Sequence, residues 1–233
     1  MNSKDLFGNA LLDYHNGNYT EDLITATNIS DEDTLPLPYL FRSYKTMPTL
    51  EQKALQLAKG SILDVGCGSG SHSLYLQKKG FSVKAIDISK GAVKVSKQRG
   101  VFNVEQNALL EETETFDTIL LLMNGTGIFQ ELSQVSNYLK HLKSILKPKG
   151  QILIDSSDIK YMYEDEDGGF WQNMNVNYYG ELDYYLSYKG EDEIPMKWLY
   201  LDFDTLKLAS ETVGLQCELA LEGEHFDYLA RLY

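Results

Sequence analysis

Cysteine is scarce in this sequence, with only Cys67 and Cys217 among 233 residues. A secreted domain that depends on disulfide bonds would need more of them. Long apolar runs are missing too, because no segment approaches the ~18 consecutive apolar residues of a membrane helix. The first residues lack the cationic region and apolar run of a signal peptide. We therefore expect a cytoplasmic protein with free thiols and no membrane partner.

Positive charge is also in short supply, since 21 Lys and Arg face 34 Asp and Glu, for a net charge of −13. Binding to a nucleic-acid backbone rests on clustered Lys and Arg, so the charge argues against that partner, although a local basic patch is compatible with it. The 43% hydrophobic and 24% charged residues are ordinary for a folded domain. The length predicts one large domain or at most two small ones.

Strand-like and helix-like patterns alternate from residue 49 onward, and glycines separate many of them. Predicted strands cover 61–66, 82–88, 102–108, 116–124, 151–157, 215–223 and 225–233. Predicted helices cover 49–59, 71–80, 89–100, 131–150 and 204–214. This order predicts an α/β fold with a parallel sheet and helices on both faces. The last two strands are joined too tightly for a helical crossover, so we expect them to be antiparallel.

Two segments fall outside this alternation. At the N-terminus we predict a short amphipathic helix through Leu6, Leu11 and Leu12, and a loop at 30–41. The second segment, 158–203, begins with an acidic tract at 164–167. Strict alternation from 175 to 188 then predicts one half-buried strand, with 196–203 as its hairpin partner.

A glycine-rich turn, Gly66-Cys67-Gly68-Ser69-Gly70, joins the first strand of the alternating region to a helix. Glycines at such a turn allow a tight bend and a close approach to a ligand, and the helix start presents free N–H groups. The G-x-G-x-G spacing departs from the dinucleotide fingerprint G-x-G-x-x-G, because Ser71 takes the third position. No Gly-Lys-Ser/Thr follows, which excludes a P-loop. A tight structural turn is the alternative.

Asp87 ends the next strand. In a doubly wound sheet the carboxyl ends of neighbouring strands face one crevice. A carboxylate there can accept hydrogen bonds from both hydroxyls of a ribose. The alternative is a helix-capping or surface Asp, since Ser89 and a helix follow.

Together these features resemble the class I S-adenosylmethionine-dependent methyltransferases. The segments that carry the resemblance are ILDVGCGSGSHSLYLQKKG at 62–80, VKAIDIS at 83–89, NVEQNAL at 103–109, FDTILLLMN at 116–124 and LKSILKPKGQILIDS at 142–156. The resemblance implies a Rossmann-like, doubly wound sheet of seven strands, mostly parallel with the last antiparallel. It implies one domain over 1–233, with 1–50 as an N-terminal cap and 158–203 as a β-hairpin insertion after strand 5. It also implies S-adenosyl-L-methionine as the cofactor.

The resemblance assigns a role to each matching residue around the glycine turn. Gly66, Gly68 and Gly70 would wrap the methionine part of the cofactor. Asp64 would help to hold its amino group, with a locally satisfied strand-end carboxylate as the alternative. Asp87 would bind the ribose.

Further cofactor contacts follow from the later strands. Ile88 comes directly after the ribose-binding position, and Asn107 and Ala108 fall where the family contacts adenine. Asn107 departs from the family, which often has Asp there, but its side chain can still hydrogen-bond the adenine amino group. Met123 and Asn124 would lie beside the sulfonium.

Arg42 precedes the first predicted helix of the alternating region and could bind the cofactor carboxylate bidentately, with a surface Arg as the alternative. His72 follows the glycine turn, within reach of the crevice, but we favour a solvated helix residue. His15 is expected at the surface. We predict no metal ligands and identify no catalytic base.

The methyl acceptor should be bound by the segments that lie outside the resemblance. Eight of the 16 Tyr fall within 161–200, together with Trp171 and Trp198. These aromatic residues could form an acceptor wall or lid, or equally serve as core packing or a subunit interface. The oligomeric state is not predicted.

The same residues bear on rival functions. DNA amino-group methyltransferases carry an Asn/Asp-Pro-Pro-Tyr/Phe motif where this chain has Asn124-Gly125-Thr126. A small-molecule acceptor is therefore favoured, with a protein acceptor as an alternative. A cofactor-binding protein without turnover stays open, and an NAD-dependent oxidoreductase is disfavoured by the glycine spacing and the antiparallel end of the sheet.

Overall fold

The computed structural model describes residues 4–163 and 178–233. Its helices are α1 (Leu6–His15), α2 (Leu37–Leu40), α3 (Thr49–Leu57), α4 (Ser71–Lys78), α5 (Lys90–Arg99), α6 (Leu132–Ser144) and α7 (Phe203–Thr212). Its strands are β1 (Leu23–Thr27), β2 (Ser30–Leu35), β3 (Ser61–Val65), β4 (Ser82–Asp87), β5 (Val104–Gln106), β6 (Phe116–Leu121), β7 (Leu146–Ser157), β8 (Glu181–Tyr188), β9 (Glu191–Asp192), β10 (Met196–Leu199), β11 (Cys217–Glu222) and β12 (Asp227–Leu232). None of these helices combines the length and the apolar character that a membrane crossing requires.

The larger sheet has seven strands in the order β11-β12-β7-β6-β3-β4-β5. Every pairing from β7 to β5 is parallel, whereas β12 is antiparallel to both of its neighbours. The predicted mostly parallel sheet with a reversed last strand is therefore confirmed. Since β3 and β4 are adjacent and parallel, their carboxyl ends open on the same edge.

Both faces of this sheet are covered by helices, as the apolar strands predict. Ile119 and Leu121 of β6 pack into the cluster that contains the apolar sides of α6 and α7. Leu120, between them, packs into the cluster on the opposite face with residues of α3 and α4. The alternation along β6 thus places the chain in three layers, helix, sheet and helix.

A second, antiparallel sheet joins the two segments that fall outside the alternation. Its path is β10-β8-β1-β2, with β9 paired to β8. The hairpin predicted in the insertion is present in β8 and β10, and Leu182, Leu186 and Tyr188 are buried as its alternation predicts. The residues at 164–177, including the acidic tract, Trp171 and the start of the predicted long strand, lie outside the described residues.

The loop prediction at 30–41 was wrong. Residues 30–35 form β2, which pairs with β1, and 37–40 form the short helix α2. All but the last residue of β2 are exposed, so the strand shows no apolar alternation. Its partner β1 also pairs with β8, which lies far away in the sequence. Pairing with a neighbour, rather than local pattern, makes this segment a strand.

The end of α6 also differs from the prediction. Helix α6 ends at Ser144 rather than at 150, and β7 begins at Leu146, which pairs with Phe116. Pro148 disfavours helical geometry at the preceding residue, so the chain leaves the helix before the proline. Helix α3 begins at Thr49, as predicted, directly after Pro48 and without a side-chain cap.

Helix α1 docks against α5 through two glycines. A Cβ on Gly91 would overlap the backbone of Gly8, so the helices approach more closely there than side chains would allow. Asp5 joins the same contact, because its carboxylate accepts hydrogen bonds from the N–H of Gly8 at 3.1 Å and of Gly91 at 2.9 Å. One carboxylate thus caps the first turns of both helices, where the positive ends of their dipoles lie.

Gly91→Ala should loosen this contact. Alanine favours a helix over glycine by about 1 kcal/mol, but overpacking of a close contact costs about 1–3 kcal/mol. We expect a net loss of about 1–2 kcal/mol in urea unfolding and faster amide hydrogen exchange across residues 6–15. Lys90→Ala, at the exposed neighbouring position, is the control and should change neither. Unaltered exchange in Gly91→Ala would contradict the docking role of the two glycines.

Candidate functional site

The glycine turn follows β3 and has three glycines in the left-handed region, at φ 69° for Gly66, 53° for Gly68 and 81° for Gly70. A Cβ on Gly66 or Gly68 would meet nothing closer than 3.5 Å and 3.8 Å, respectively, among the described atoms. A Cβ on Gly70 would lie 2.8 Å from Ser96 Oγ. Gly70 is therefore needed for the close packing of the turn against α5, whereas the other two glycines leave space above the turn.

Asp87, the last residue of β4, holds this turn from the side. Its Oδ2 accepts a hydrogen bond from Gly68 N at 2.8 Å, and its Oδ1 accepts one from Ser89 N at 2.9 Å. Burial raises the pKa of Asp87 to about 6, against the lowering effect of these two N–H donors. Each oxygen keeps a further lone pair, so the carboxylate can still accept hydrogen bonds from a ligand.

The side chains near Asp87 could bind a flat apolar ligand group that carries a polar substituent. Ile88 is 75% exposed, which is unusual for an isoleucine next to a buried strand end. Asn107 N donates to the carbonyl oxygen of Asp87 at 3.1 Å, so β5 brings Asn107 and Ala108 to the same edge. Both residues are partly exposed there. The structure therefore brings Ile88, a predicted cofactor-binding position, to the same edge as Asn107 and Ala108, the two positions predicted to contact adenine.

Asp64 lies beneath the turn, near the end of β3, and is 2% exposed. Its Oδ2 accepts a hydrogen bond from Ser73 Oγ at 2.6 Å in the first turn of α4. Burial raises the pKa of Asp64, although His72 and Ser73 act in the opposite direction. The carboxylate has the local partner that the alternative interpretation expects, and its contact with a ligand stays a prediction.

Arg42, Glu51 and His72 form a buried charge cluster beside the turn. The Arg42 guanidinium donates to Glu51 Oε1 and, at 2.6 Å, to the carbonyl oxygen of Tyr39. His72 Nε2 lies 2.7 Å from Glu51 Oε2. The prediction of a solvated His72 was therefore wrong, since the side chain is 8% exposed and the helix start points it towards α3. His15 is exposed, as predicted.

The charges in this cluster are coupled. Burial disfavours both ionised forms, but the contact with Glu51 outweighs it and raises the pKa of His72. The same contact and the Arg42 charge lower the pKa of Glu51 against its burial. Arg42 carries a positive charge, and the raised pKa of His72 favours its cationic form, so the cluster can attract a further anion. Arg42 Nε is buried and has no hydrogen-bond partner within the described part of the chain.

A second carboxylate organises the turn after β6. Met123 and Asn124 adopt left-handed conformations, at φ 67° and 59°. Asp155 of β7 accepts a hydrogen bond from Met123 N at 2.9 Å and from Gly125 N at 2.8 Å. Met123 stays 37% exposed just after β6, on the same edge of the sheet as the glycine turn, and its position beside the sulfonium stays a prediction. Sequence reasoning missed Asp155 and Glu51, although a carboxylate at the end of the predicted strand 151–157 was a signal for the first.

Helix α1 covers the open side of the glycine turn. Phe7 Cζ is the described atom nearest to the position of a Cβ on Gly68. Cys67 below it is a free thiol, as is Cys217. Within 4–163 and 178–233 no group of three or more His, Cys, Asp or Glu could hold a metal ion.

Comparison with known proteins places the chain among methyltransferases. Residues 40–189 match a family model described as "Methyltransferase domain". The chain is similar to a solved S-adenosylmethionine-dependent methyltransferase from Bacteroides fragilis in complex with S-adenosyl-L-homocysteine. That match has 46% identity, covers 99% of this chain and 94% of the other, and has a TM-score of 0.92.

Curated relatives are more distant. The Bacillus subtilis protein YqeM, named as a methyltransferase, is 30% identical over 146 residues, which cover 58% of this chain and 57% of that protein. A Rickettsia conorii ubiquinone biosynthesis O-methyltransferase is 27% identical over 46% of this chain and 38% of its own length. The chain thus spans about half the length of these relatives. The Bacteroides structure covers nearly the whole chain and the family model covers more than half of it, and together they show that the chain belongs to the class I S-adenosylmethionine-dependent methyltransferase family.

Proposed function

We propose that this chain binds S-adenosyl-L-methionine at the carboxyl edge of β3, β4 and β5 and transfers its methyl group to a small molecule. The observation that carries the proposal is the pairing of an open glycine turn with Asp87. Gly66 and Gly68 leave room for a ligand, and the Asp87 carboxylate stands at the side of that room with lone pairs to spare. The Bacteroides relative, which resembles this chain over nearly its whole length, supports the choice of cofactor.

The nucleoside end of the cofactor fits the β4–β5 side of the site. Asp87 would accept hydrogen bonds from the two ribose hydroxyls while it keeps its contact with Gly68 N. The exposed Ile88 would cover one face of the adenine. Asn107 would hydrogen-bond the adenine amino group, and Ala108 would leave space for the ring. These assignments agree with the local shape because each side chain borders the same edge.

The amino-acid end fits the opposite side, between α3, α4 and the turn. Its carboxylate would be attracted by Arg42 and His72, and the unpaired Nε of Arg42 offers it a buried donor. Its ammonium group would lie near Asp64, the buried carboxylate below the turn. The carboxylate of the cofactor would thus lie near cationic side chains, and its ammonium group would lie near an anionic one.

The bound cofactor supplies an activated methyl group on a positive sulfur, so the protein's task is chiefly alignment. The glycine turn and Asp87 would fix the position of the cofactor from two sides. Met123, at the mouth between β6 and the turn, would border the reacting group. Helix α1, held down by Asp5 and Gly91, would exclude water from the glycine turn.

The acceptor is proposed to be a small molecule, in line with the ubiquinone O-methyltransferase among the relatives. The net charge of −13 supports this over a nucleic acid. The N-terminal segment and the insertion build one sheet, β10-β8-β1-β2, and we infer that they act together as the cover of a single domain. The cytoplasmic location stays a prediction.

Asp87→Asn should weaken binding of S-adenosylhomocysteine roughly 10- to 100-fold, the value of one to two hydrogen bonds to a charged group. Isothermal titration calorimetry measures the affinity, and circular dichroism checks the fold. Asp117→Asn, the same change at the opposite edge of the sheet, is the control and should bind normally. An unchanged affinity in Asp87→Asn would remove Asp87 from the site, and tight NAD binding without S-adenosylhomocysteine binding would refute the proposed cofactor.

Arg42→Lys keeps a positive charge for Glu51 but removes the buried Nε. It should weaken S-adenosylhomocysteine about tenfold or more, because one charge-assisted hydrogen bond is lost. Binding of 5′-methylthioadenosine, which has the same nucleoside without the amino-acid end, should not change. Equal losses for both ligands would show that Arg42 acts on folding or on the nucleoside, and no loss for either would remove it from the carboxylate site.

A further inference from the structure

A cavity of about 260 Å³ lies between α2 and α3 on one side and the carboxyl ends of β6 and β7 on the other. Met123, Asn124 and Asp155 form its inner wall, with Tyr39 and Glu51 opposite. Gly66, Gly68 and Gly70 do not line it, so the cavity adjoins the proposed cofactor site through Met123 without being part of the glycine turn. A second substrate would occupy this position.

A larger outer cavity of about 390 Å³ continues from the first, because Ser157 and Asp227 line both. Half of its described lining residues are apolar or aromatic, among them Ile159, Tyr161 and Tyr200, and the other half are polar. Leu182 of β8 contributes from the second sheet. The two cavities together are the size of sites that bind small organic molecules, and each combines polar with apolar or aromatic lining residues.

The described residues that line the two cavities include three carboxylates, Glu51, Asp155 and Asp227, one histidine, His225, and neither Lys nor Arg. The Glu51 charge is balanced by Arg42 and His72 behind it. Among the described residues Asp155 and Asp227 have no ion pair of this kind, so these residues give the cleft an excess of negative charge. A carboxylate or phosphate would be repelled there, whereas an ammonium group would be attracted.

Asp155 is the group placed to act on such a ligand. It is 7% exposed, and each of its oxygens accepts one backbone N–H, which leaves a second lone pair on each. Burial raises the pKa of Asp155 to about 6; Glu51 raises it further and His72 opposes the rise. Tyr39 and Asp227 face it across the cavity, and Tyr200 and Tyr228 interact with it electrostatically.

Resting on the proposed methyl transfer, we propose that this cleft binds a small amine as the methyl acceptor and that the Asp155 carboxylate takes the proton from its ammonium group. The outer cavity holds the rest of the amine. Asp155 thereby becomes the catalytic base that sequence reasoning did not identify.

The step is balanced in two parts. The ammonium N–H bond breaks, its electron pair stays on nitrogen as a lone pair, and the proton forms an O–H bond on Asp155. The nitrogen lone pair then forms the N–C bond to the methyl group while the C–S bond breaks and its electron pair returns to sulfur. The product is a methylated ammonium ion, and the carboxyl group releases its proton to solvent. The positive charge of the nearby methyl donor lowers the pKa of the amine and favours the first part.

The first test measures binding without turnover. Full-length protein saturated with S-adenosylhomocysteine is screened by ligand-observed NMR against small aromatic and aliphatic amines, each paired with its alcohol and its carboxylic acid. We expect amines to bind, acids not to bind, and Asp155→Asn to weaken the amines at least tenfold. Asp204→Asn, an exposed control on α7, should match the wild type. Failure of every amine to bind, or equal binding of the acids, overturns the inference.

The second test follows methylation of the amines that bind. Since the base must be unprotonated, kcat/KM should fall as the pH drops below about 6, and Asp155→Asn should lose this limb together with roughly 100-fold or more in kcat. Wild-type turnover in Asp155→Asn overturns the role of Asp155. Calorimetry separates the two levels of failure: if S-adenosylhomocysteine does not bind the wild type, the proposed function fails, whereas normal cofactor binding without amine binding refutes only this inference.

Discussion

Two buried carboxylates at the ends of parallel strands must be hydrogen-bonded, and the conformation of the loops at this edge of the sheet depends on that requirement. A carboxylate out of water is costly unless hydrogen bonds replace its solvation. Asp87 of β4 obtains them from Gly68 in the turn after β3, and Asp155 of β7 obtains them from Met123 and Gly125 in the turn after β6. Each carboxylate therefore fastens the loop that follows its neighbouring strand. The positive φ angles of those loops are what allow their N–H groups to converge.

The same arrangement divides the crevice by charge. Arg42 and His72 surround Glu51 on the side of α3 and α4, where an anionic ligand group is favoured. Asp155 and Asp227 line the cavity beyond Met123, where a cationic one is favoured. A methyl donor whose amino-acid carboxylate meets the first region and an amine that meets the second would come together at Met123. Stability and the proposed chemistry would thus use the same buried groups, a combination typical of sites with perturbed pKa values.

The sequence predicts the large sheet well because its signals are local. Apolar strands such as 116–121, the Gly100 helix end and the Ser89 cap can each be recognised from a few neighbouring residues. The segment at 30–41 shows the limit, since β2 is a strand only because β1 and β8 provide partners. His72 shows the same limit at the site. The sequence places it in the first turn of a helix, but it does not show that this side of the helix faces the Glu51 carboxylate rather than solvent. The roles of Glu51 and Asp155 could not be predicted from their own segments, because the partners of both carboxylates lie in other parts of the chain.

A crystal structure with S-adenosylhomocysteine would show directly how Asp87 and the glycine turn bind the cofactor. We expect both ribose hydroxyl oxygens within about 3 Å of the Asp87 oxygens. We also expect the amino-acid part between the 66–70 turn and Arg42, and the sulfur facing the cavity beside Met123. A ligand whose ribose contacts no atom of Asp87, or which lies away from the glycine turn, would contradict this binding mode.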